Sequence, residues 1–581
     1  VWLISLGVVL GVVLMLGAQA LLAPPIFAQA VVQKRIPGGA VAAGDASAPA
    51  ELSGALVYEF LVAEIALQRG QPQLAAQAWL DLAKKTRDAR VARRATEVAW
   101  RARMPQVALD AARIWNDLEP ESNEAAVWRL QILVATNRLA EAQPGLEAML
   151  ARASGDRPFL QLARLLSEVK DRAAGLKMMR ELARPYPQHA AAHLAIAQVA
   201  VAADQADLAI TEARAASNLR PDWELPVLLE AQVLARRQDP AANERLRLFI
   251  ESHPKAGDVR LAYARALASA GKAREAREQF ARLALAYPDN ADVIFPLAVL
   301  SIQSGELADA ERHLRHLLEI DYADPDRIHL YLGEVFEQQK RFDEAIESYR
   351  EVGAGEHRTN ARVRIAMVMN KAGRLEDARR YLHELVPEGA DERNRLVLAE
   401  VQLLREVNRF ADAFTVISEA LGRTPDQPDL LYEQGMLAER LDRLEVMEKS
   451  LRAVMALRPD QAQAYNALGY SLADRGKRLT EARALIERAV KLAPDDFFIL
   501  DSLGWVQFRQ GELKAALASL QRAYAGQADG EIAAHLGEVL WALGRQAEAE
   551  AIWAEAFRRT PDNETLQKTR RRFLGAKADA R

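Results

Sequence analysis

In LDSLGWVQFRQGELKAALASLQRAY (500–524) the apolar positions fall at helical spacing in two short blocks, separated by the polar break Gln-Gly-Glu. The spacing predicts two amphipathic helices joined by a tight turn. The same pattern returns along the chain. Gly504 has counterparts at Gly435, Gly469 and Gly537, spaced by 34, 35 and 33 residues. Downstream of each stands a small residue, in a column that runs Ala75, Ala108, Ala142, Ala174, Ala209, Ala242, Ala276, Ala310, Ala345, Ala378, Ala413, Met447, Ala482, Ala516 and Ala549. These 15 positions step by 32 to 35 residues, so an array of helix pairs is expected over 53–562.

Small residues in both helices of a pair let the two axes approach closely. Gly333, Ala298, Gly469 and Gly504 fill this role in first helices, and the alanine column fills it in second helices. A second small position follows seven residues later, at Ala489, Ala523 and Ala556, where the second helix meets the next repeat. Pro120, Pro221, Pro459, Pro494 and Pro561 mark the ends of second helices, because proline lacks the amide donor and disfavours a helical residue before it. Pro144 and Pro296 fall inside helical blocks, which predicts kinks or irregular repeats there.

This combination resembles the tetratricopeptide repeat (TPR), best in YNALGYSLADRGKRLTEARALIERAVKLAP (465–494) and HLYLGEVFEQQKRFDEAIESY (329–349), and is weaker in the N-terminal half. The resemblance implies an all-α fold, a right-handed superhelical solenoid of about 15 TPR-like helix pairs, clearest over 325–562. A stacked array of this kind grows without a single central core, so 581 residues need not form several globular domains.

The remaining segments lie outside the array. VWLISLGVVLGVVLMLGAQALLA, followed by Ala28-Gln29-Ala30, reads as an export signal or, uncleaved, as a membrane anchor over 1–30. Residues 31–52 are small, polar and proline-containing, as a flexible tether would be. The basic stretch 563–581, with KTRRRF at 568–573, reads as a disordered tail, and RDARVARRATEVAWRAR (87–103) as a solvated helix face. A net charge of −4 gives no reason to expect nucleic-acid binding. The chain has no cysteine, which removes disulfides, thiolate metal sites and, in the chain as written, a lipidated N-terminal cysteine.

Catalytic constellations are not evident. The sequence holds no phosphate-binding Gly-x-x-x-x-Gly-Lys loop, no Gly-x-Ser-x-Gly elbow and no His-Glu-x-x-His helix. His189 with His193 and His313 with His316 have helical spacing but no third ligand, so no metal or cofactor is expected and the chain reads as non-enzymatic. Function is therefore sought on the concave surface that first helices form in such arrays. On the first-helix face flanking the small residue, the C-terminal repeats offer Tyr432, Met436, Asn466, Tyr470, Trp505, Phe508, Arg509, Glu538 and Trp541, rich in the residue types that dominate interfaces. Gly504 and Ala516 serve packing, while Trp505 and Phe508 are expected to be surplus to it.

A closer resemblance rests on YEFLVAEIALQRGQPQLAAQAWLDLAKKTRDARVARRATEVA (58–99), DDFFILDSLGWVQFRQGELKAALASL (495–520) and GEIAAHLGEVLWALGRQAEAEAIW (530–553). These are similar to the TPR lipoproteins of Gram-negative bacteria that serve as adaptors for a periplasmic carboxyl-terminal processing protease. The resemblance implies a periplasmic, protein-binding scaffold that captures the protease and presents substrates such as peptidoglycan hydrolases. The chain departs from that family in lacking the lipidated cysteine, so it is expected to be soluble in the periplasm or held by its own N-terminal apolar segment. Scaffolding of polysaccharide export or cell-wall assembly is the alternative, since long exported arrays serve there too.

Overall fold

The structure, a computed structural model, describes residues 53–152 and 155–575. The expected export segment, the tether and residues 576–581 lie outside the described residues. Among the described residues there are 31 helices and no strand. Numbered in chain order, they run from α1 (Gly54–Gln68) to α31 (Glu564–Leu574). The chain divides into two compact units, one ending at Ile320 and one beginning at Asp321. The first holds eight helix pairs, and the second seven pairs followed by α31.

The small-residue column is the buried hinge of every pair except the fourth, with Met447 in one slot. Ala75, Ala108, Ala345, Ala378, Ala482, Ala516 and Ala549 are wholly buried, and Met447 nearly so. What the small first-helix residue accommodates is the large side chain one turn beyond this column. A Cβ at Gly504 would lie 2.5 Å from Leu520, and one at Gly469 would lie 2.7 Å from Ile486. Gly435 faces Leu451, Gly333 faces the ring of Tyr349, and Gly537 faces Trp553 in the same way. The glycine thus makes a socket for a bulky second-helix knob, a sharper requirement than mutual smallness. Ala489, Ala523 and Ala556 are buried against Ile499, Ile532 and Leu566 respectively, residues of the following helices. Pro459, Pro494 and Pro561 each stand directly after a helix C-cap, at Arg458, Ala493 and Thr560.

The turn inside each helix pair carries a residue in the left-handed conformation, such as Gly70, Gly271, Gly476 or Gly544, except in the fourth pair. That pair, α7 (Arg157–Ser167) and α8 (Arg172–Ala183), also departs from the column. Ala174 is only half-buried; Gly175 takes the slot, its amide donating to the Asp171 carbonyl as column amides donate to their N-cap carbonyls. A Cβ there would meet the Leu166 carbonyl oxygen at 2.7 Å. With this correction the 32-residue step disappears. Pro144 and Pro296 lie inside helices Leu139–Arg152 and Ala291–Gln303, which continue unbroken past them. Both are the sixth residue of their helix, so the missing amide bond falls near the first turn.

The C-terminal stretch corrects an expectation. Glu564–Leu574 is a helix, not a disordered tail. Asn563 caps it by accepting from the Leu566 amide at 2.9 Å. Leu566 is wholly buried in the cluster that includes Trp553, with Phe573 and Leu574 packed alongside. The basic residues spread around this helix: Arg570 is buried over the Phe557 ring at 3.9 Å, and the exposed Arg572 pairs with Glu538. A net-charge reading missed the apolar stripe Leu566, Phe573, Leu574 between the arginines.

Candidate protein-binding surface

The nine candidate residues lie on four first helices of the second unit, α23 (Pro428–Arg440), α25 (Ala462–Asp474), α27 (Phe497–Arg509) and α29 (Gly530–Ala542). None of them is fully exposed. Tyr432 packs on the core cluster of its unit, and burial pushes its phenol upward. Met436 is half-buried. Asn466 is half-buried too, and its Oδ1 is shielded from solvent without a partner. Phe508 bridges two core clusters.

Two assignments are overturned. Trp505 is 6% exposed, stacked on His535 with ring centroids 4.2 Å apart, and its Nε1 donates to Asp474 at 3.3 Å. Glu538 is 5% exposed and accepts from Thr569 at 3.1 Å and from Arg572. The reason is geometric. Trp505 and Glu538 directly follow the socket glycines Gly504 and Gly537, and this position faces the next first helix, so its side chain becomes inter-repeat core. Tyr470 follows Gly469 but is half-buried, and its hydroxyl donates at 3.3 Å to Glu531, two first helices further on. Trp541 stacks on Trp553 at 5.8 Å and packs against Phe573. Arg509 lies 5.9 Å over Trp505 and donates to the Asp474 carbonyl.

These contacts centre on a buried polar ladder that sequence reasoning missed. His535, 3% exposed, has its Nδ1 at 2.9 Å from Asp501 Oδ2, and its Nε2 lies 3.4 Å from the Tyr470 hydroxyl. Burial opposes a charge on His535, but the Asp501 carboxylate, with Glu531 and Glu538 nearby, raises its pKa. Burial also raises the pKa of Glu531. The available signal was spacing: Asp501 and His535 are 34 residues apart, one repeat, which places complementary groups on adjacent rungs. The paired histidines are separated in role as well. His193 lies against Glu212 and His316 between Asp289 and Glu319.

The uncovered apolar surface lies elsewhere, on α1. Val57, Tyr58, Phe60, Leu61 and Ile65 are exposed, Tyr58 to 68% and Leu61 to 50%. The helix carries two charged residues, and both are turned into the array. Glu59 pairs with Lys85 of α2 (Pro72–Thr86), and Glu64 with Arg94 of α3 (Ala89–Arg101) at 3.3 Å. Inward, Ala63 and Ala66 are buried and Phe60 meets the Trp79 ring edge-on at 5.3 Å. The outer side of α1 is therefore apolar, and no described helix covers it. Contiguous apolar patches of this kind mark interaction sites in soluble proteins.

Comparison with known proteins agrees with the geometry. The tetratricopeptide repeat family pattern matches residues 295–358, 398–446, 448–497 and 502–564. Over 485 residues the chain is 35% identical to the TPR repeat-containing protein PA4667 of Pseudomonas aeruginosa, covering 83% of this chain and 82% of that one. The chain belongs to the tetratricopeptide repeat proteins. Weaker similarity extends to the human protein O-mannosyl-transferase TMTC1, 29% identical over 206 residues, 34% of this chain and 23% of that one. A thermophilic TPR protein of Thermus thermophilus aligns over 31% of this chain and 96% of its own, at 26% identity and a TM-score of 0.28.

For a tetratricopeptide repeat protein the arrangement supports binding by surface complementarity. Among the described residues no cluster of three or more His, Asp and Glu could hold a metal ion. The perturbed groups of the C-terminal ladder are enclosed between repeats and serve to lock first helices together.

Proposed function

We propose that this TPR protein is a periplasmic scaffold that binds a carboxyl-terminal processing protease and presents protein substrates to it, peptidoglycan hydrolases among them. The uncovered apolar face of α1 carries the reading. A helix whose two charged residues both turn inward leaves an apolar side that no described residue covers, and a partner protein that covers it gains roughly 25 cal/mol per Å² of buried apolar area. The resemblance of residues 58–99 to the adaptor family includes this helix, which directs the proposal to the protease as its occupant. The apolar run at 1–23 and the Ala28-Gln29-Ala30 pattern support export.

The test is affinity capture from envelope extracts of the native organism, with the full chain in mild detergent as bait and mass spectrometry as readout. Salt-resistant recovery of a carboxyl-terminal processing protease with cell-wall hydrolases is expected. Recovery of polysaccharide-export or cell-wall synthesis components without the protease would replace this reading by the alternative scaffold.

A further inference from the structure

A groove of about 570 Å³ lies in the first unit between α8, α9 (Ala190–Ala202) and α10 (Ala206–Leu219). It adjoins the one helix pair whose turn and column depart from the repeat. The second helix α8 has 12 residues where its neighbour α10 has 14, and Ala173, Ala183, Ala192 and Ala203 line the space with side chains too short to fill it. Leu176 and Ile196 add an apolar floor.

One rim of the groove is cationic. Lys177, Arg180 and Arg184 project from a single face of α8 and its C-cap, all exposed. Lys177 reaches Glu181 only at 4.0 Å, and neither Arg180 nor Arg184 forms an ion pair among the described residues. On the opposite side Glu212 is occupied by His193, Nδ1 to Oε2 2.6 Å, while His193 Nε2 faces the Pro187 carbonyl at 3.0 Å. Glu181 also lines the rim, with Lys177 at 4.0 Å, which leaves Arg180 and Arg184 as the two lining charges without an ion pair among the described residues, in a chain whose net charge is −4.

From this we infer that the groove binds an extended acidic polypeptide segment, with carboxylates on Arg180 and Arg184 and intervening apolar side chains on the alanine-rich floor. Spacing selects a peptide over a single anion. Two residues four apart on a helix are separated by about 6 Å along its axis. Alternate residues of an extended strand repeat at about 6.6 Å. Carboxylates at every second position therefore match the spacing of the two arginines along α8, and apolar residues flanking them reach the alanine-rich floor with Leu176 and Ile196. The inference deepens the scaffold proposal by naming the chemistry of a presented segment, and it rests on that reading only for what the segment belongs to.

The probe is a fluorescein-labelled octapeptide of alternating Glu and Leu, titrated with the full chain and followed by fluorescence polarisation. Saturable binding is expected, with at least tenfold loss in Arg180→Glu/Arg184→Glu and in Ala173→Trp, which fills the mouth from an exposed position. Reversal at Arg90 and Arg274, exposed and outside the groove, leaves binding unchanged. Equal binding of a Lys/Leu octapeptide, full competition by equimolar inorganic phosphate, or wild-type affinity in the double reversal each overturns the proposal. Protease capture by the double reversal separates the two ideas. A groove-deficient protein that still captures the protease leaves the scaffold standing, whereas peptide binding without protease capture removes the scaffold reading alone.

Discussion

At Gly504 the absence of a side chain is what lets Leu520 seat against the first helix. Gly504→Leu is expected to cost about 1–3 kcal/mol through overpacking, and thermal melting by circular dichroism will show a lowered midpoint; an unchanged midpoint would remove the socket argument. Trp505 belongs to the same packing, stacked on His535 and bonded to Asp474. Trp505→Ala is expected to destabilise the C-terminal repeats by about 3–5 kcal/mol, and denaturant unfolding that matches wild type would return this residue to the binding surface. The glycines and alanines were legible in the sequence because each answers one steric demand repeated at a fixed period. The role of Trp505 was not, since a bulky residue on a first helix looks the same whether it faces a partner or the next repeat.

Between helices, the ladder of α25, α27 and α29 couples stability to pH. The folded-state pKa of His535 is raised, so its contribution is complete below the unfolded value of about 6.5 and is lost as pH rises through the folded value. Glu531, also raised, acts in the same direction at lower pH. The midpoint of the C-terminal unfolding transition is expected to fall as pH increases beyond about 6.5, and less steeply in His535→Gln; parallel curves for the two proteins would refute the ladder's role. At the end of the second unit α31 covers Trp553 and buries Leu566. Removing residues 564–581 is expected to cost at least about 3 kcal/mol, at roughly 1.5–3 kcal/mol per buried large side chain, with a lowered melting midpoint as the readout. Helix pairing was legible from period and proline placement. The last helix was obscured because Arg570, Arg571 and Arg572 dominate its composition, while the apolar contacts that order it are only three residues.

For the molecule as a whole, the repeat period carried the fold class almost completely, because a stacked array satisfies its hydrophobic faces between neighbours and leaves that repeat in the sequence. The binding surface is different. On the candidate face of the C-terminal repeats Trp505 and Glu538 are buried between repeats and the other seven residues are half-buried, whereas α1 exposes apolar side chains that its charged residues do not screen. In sequence α1 reads as one more hydrophobic helix, and only the direction in which Glu59 and Glu64 point distinguishes its open side. The account therefore turns on whether that side meets a partner. The most direct measurement is surface plasmon resonance between the immobilised full chain and a purified carboxyl-terminal processing protease of the same organism, comparing wild type with Tyr58→Asp/Leu61→Asp after circular dichroism has confirmed equal helicity. Saturable wild-type binding with at least tenfold weakening in the double variant is the predicted result; binding of equal strength by both proteins, or none by the wild type, would contradict it.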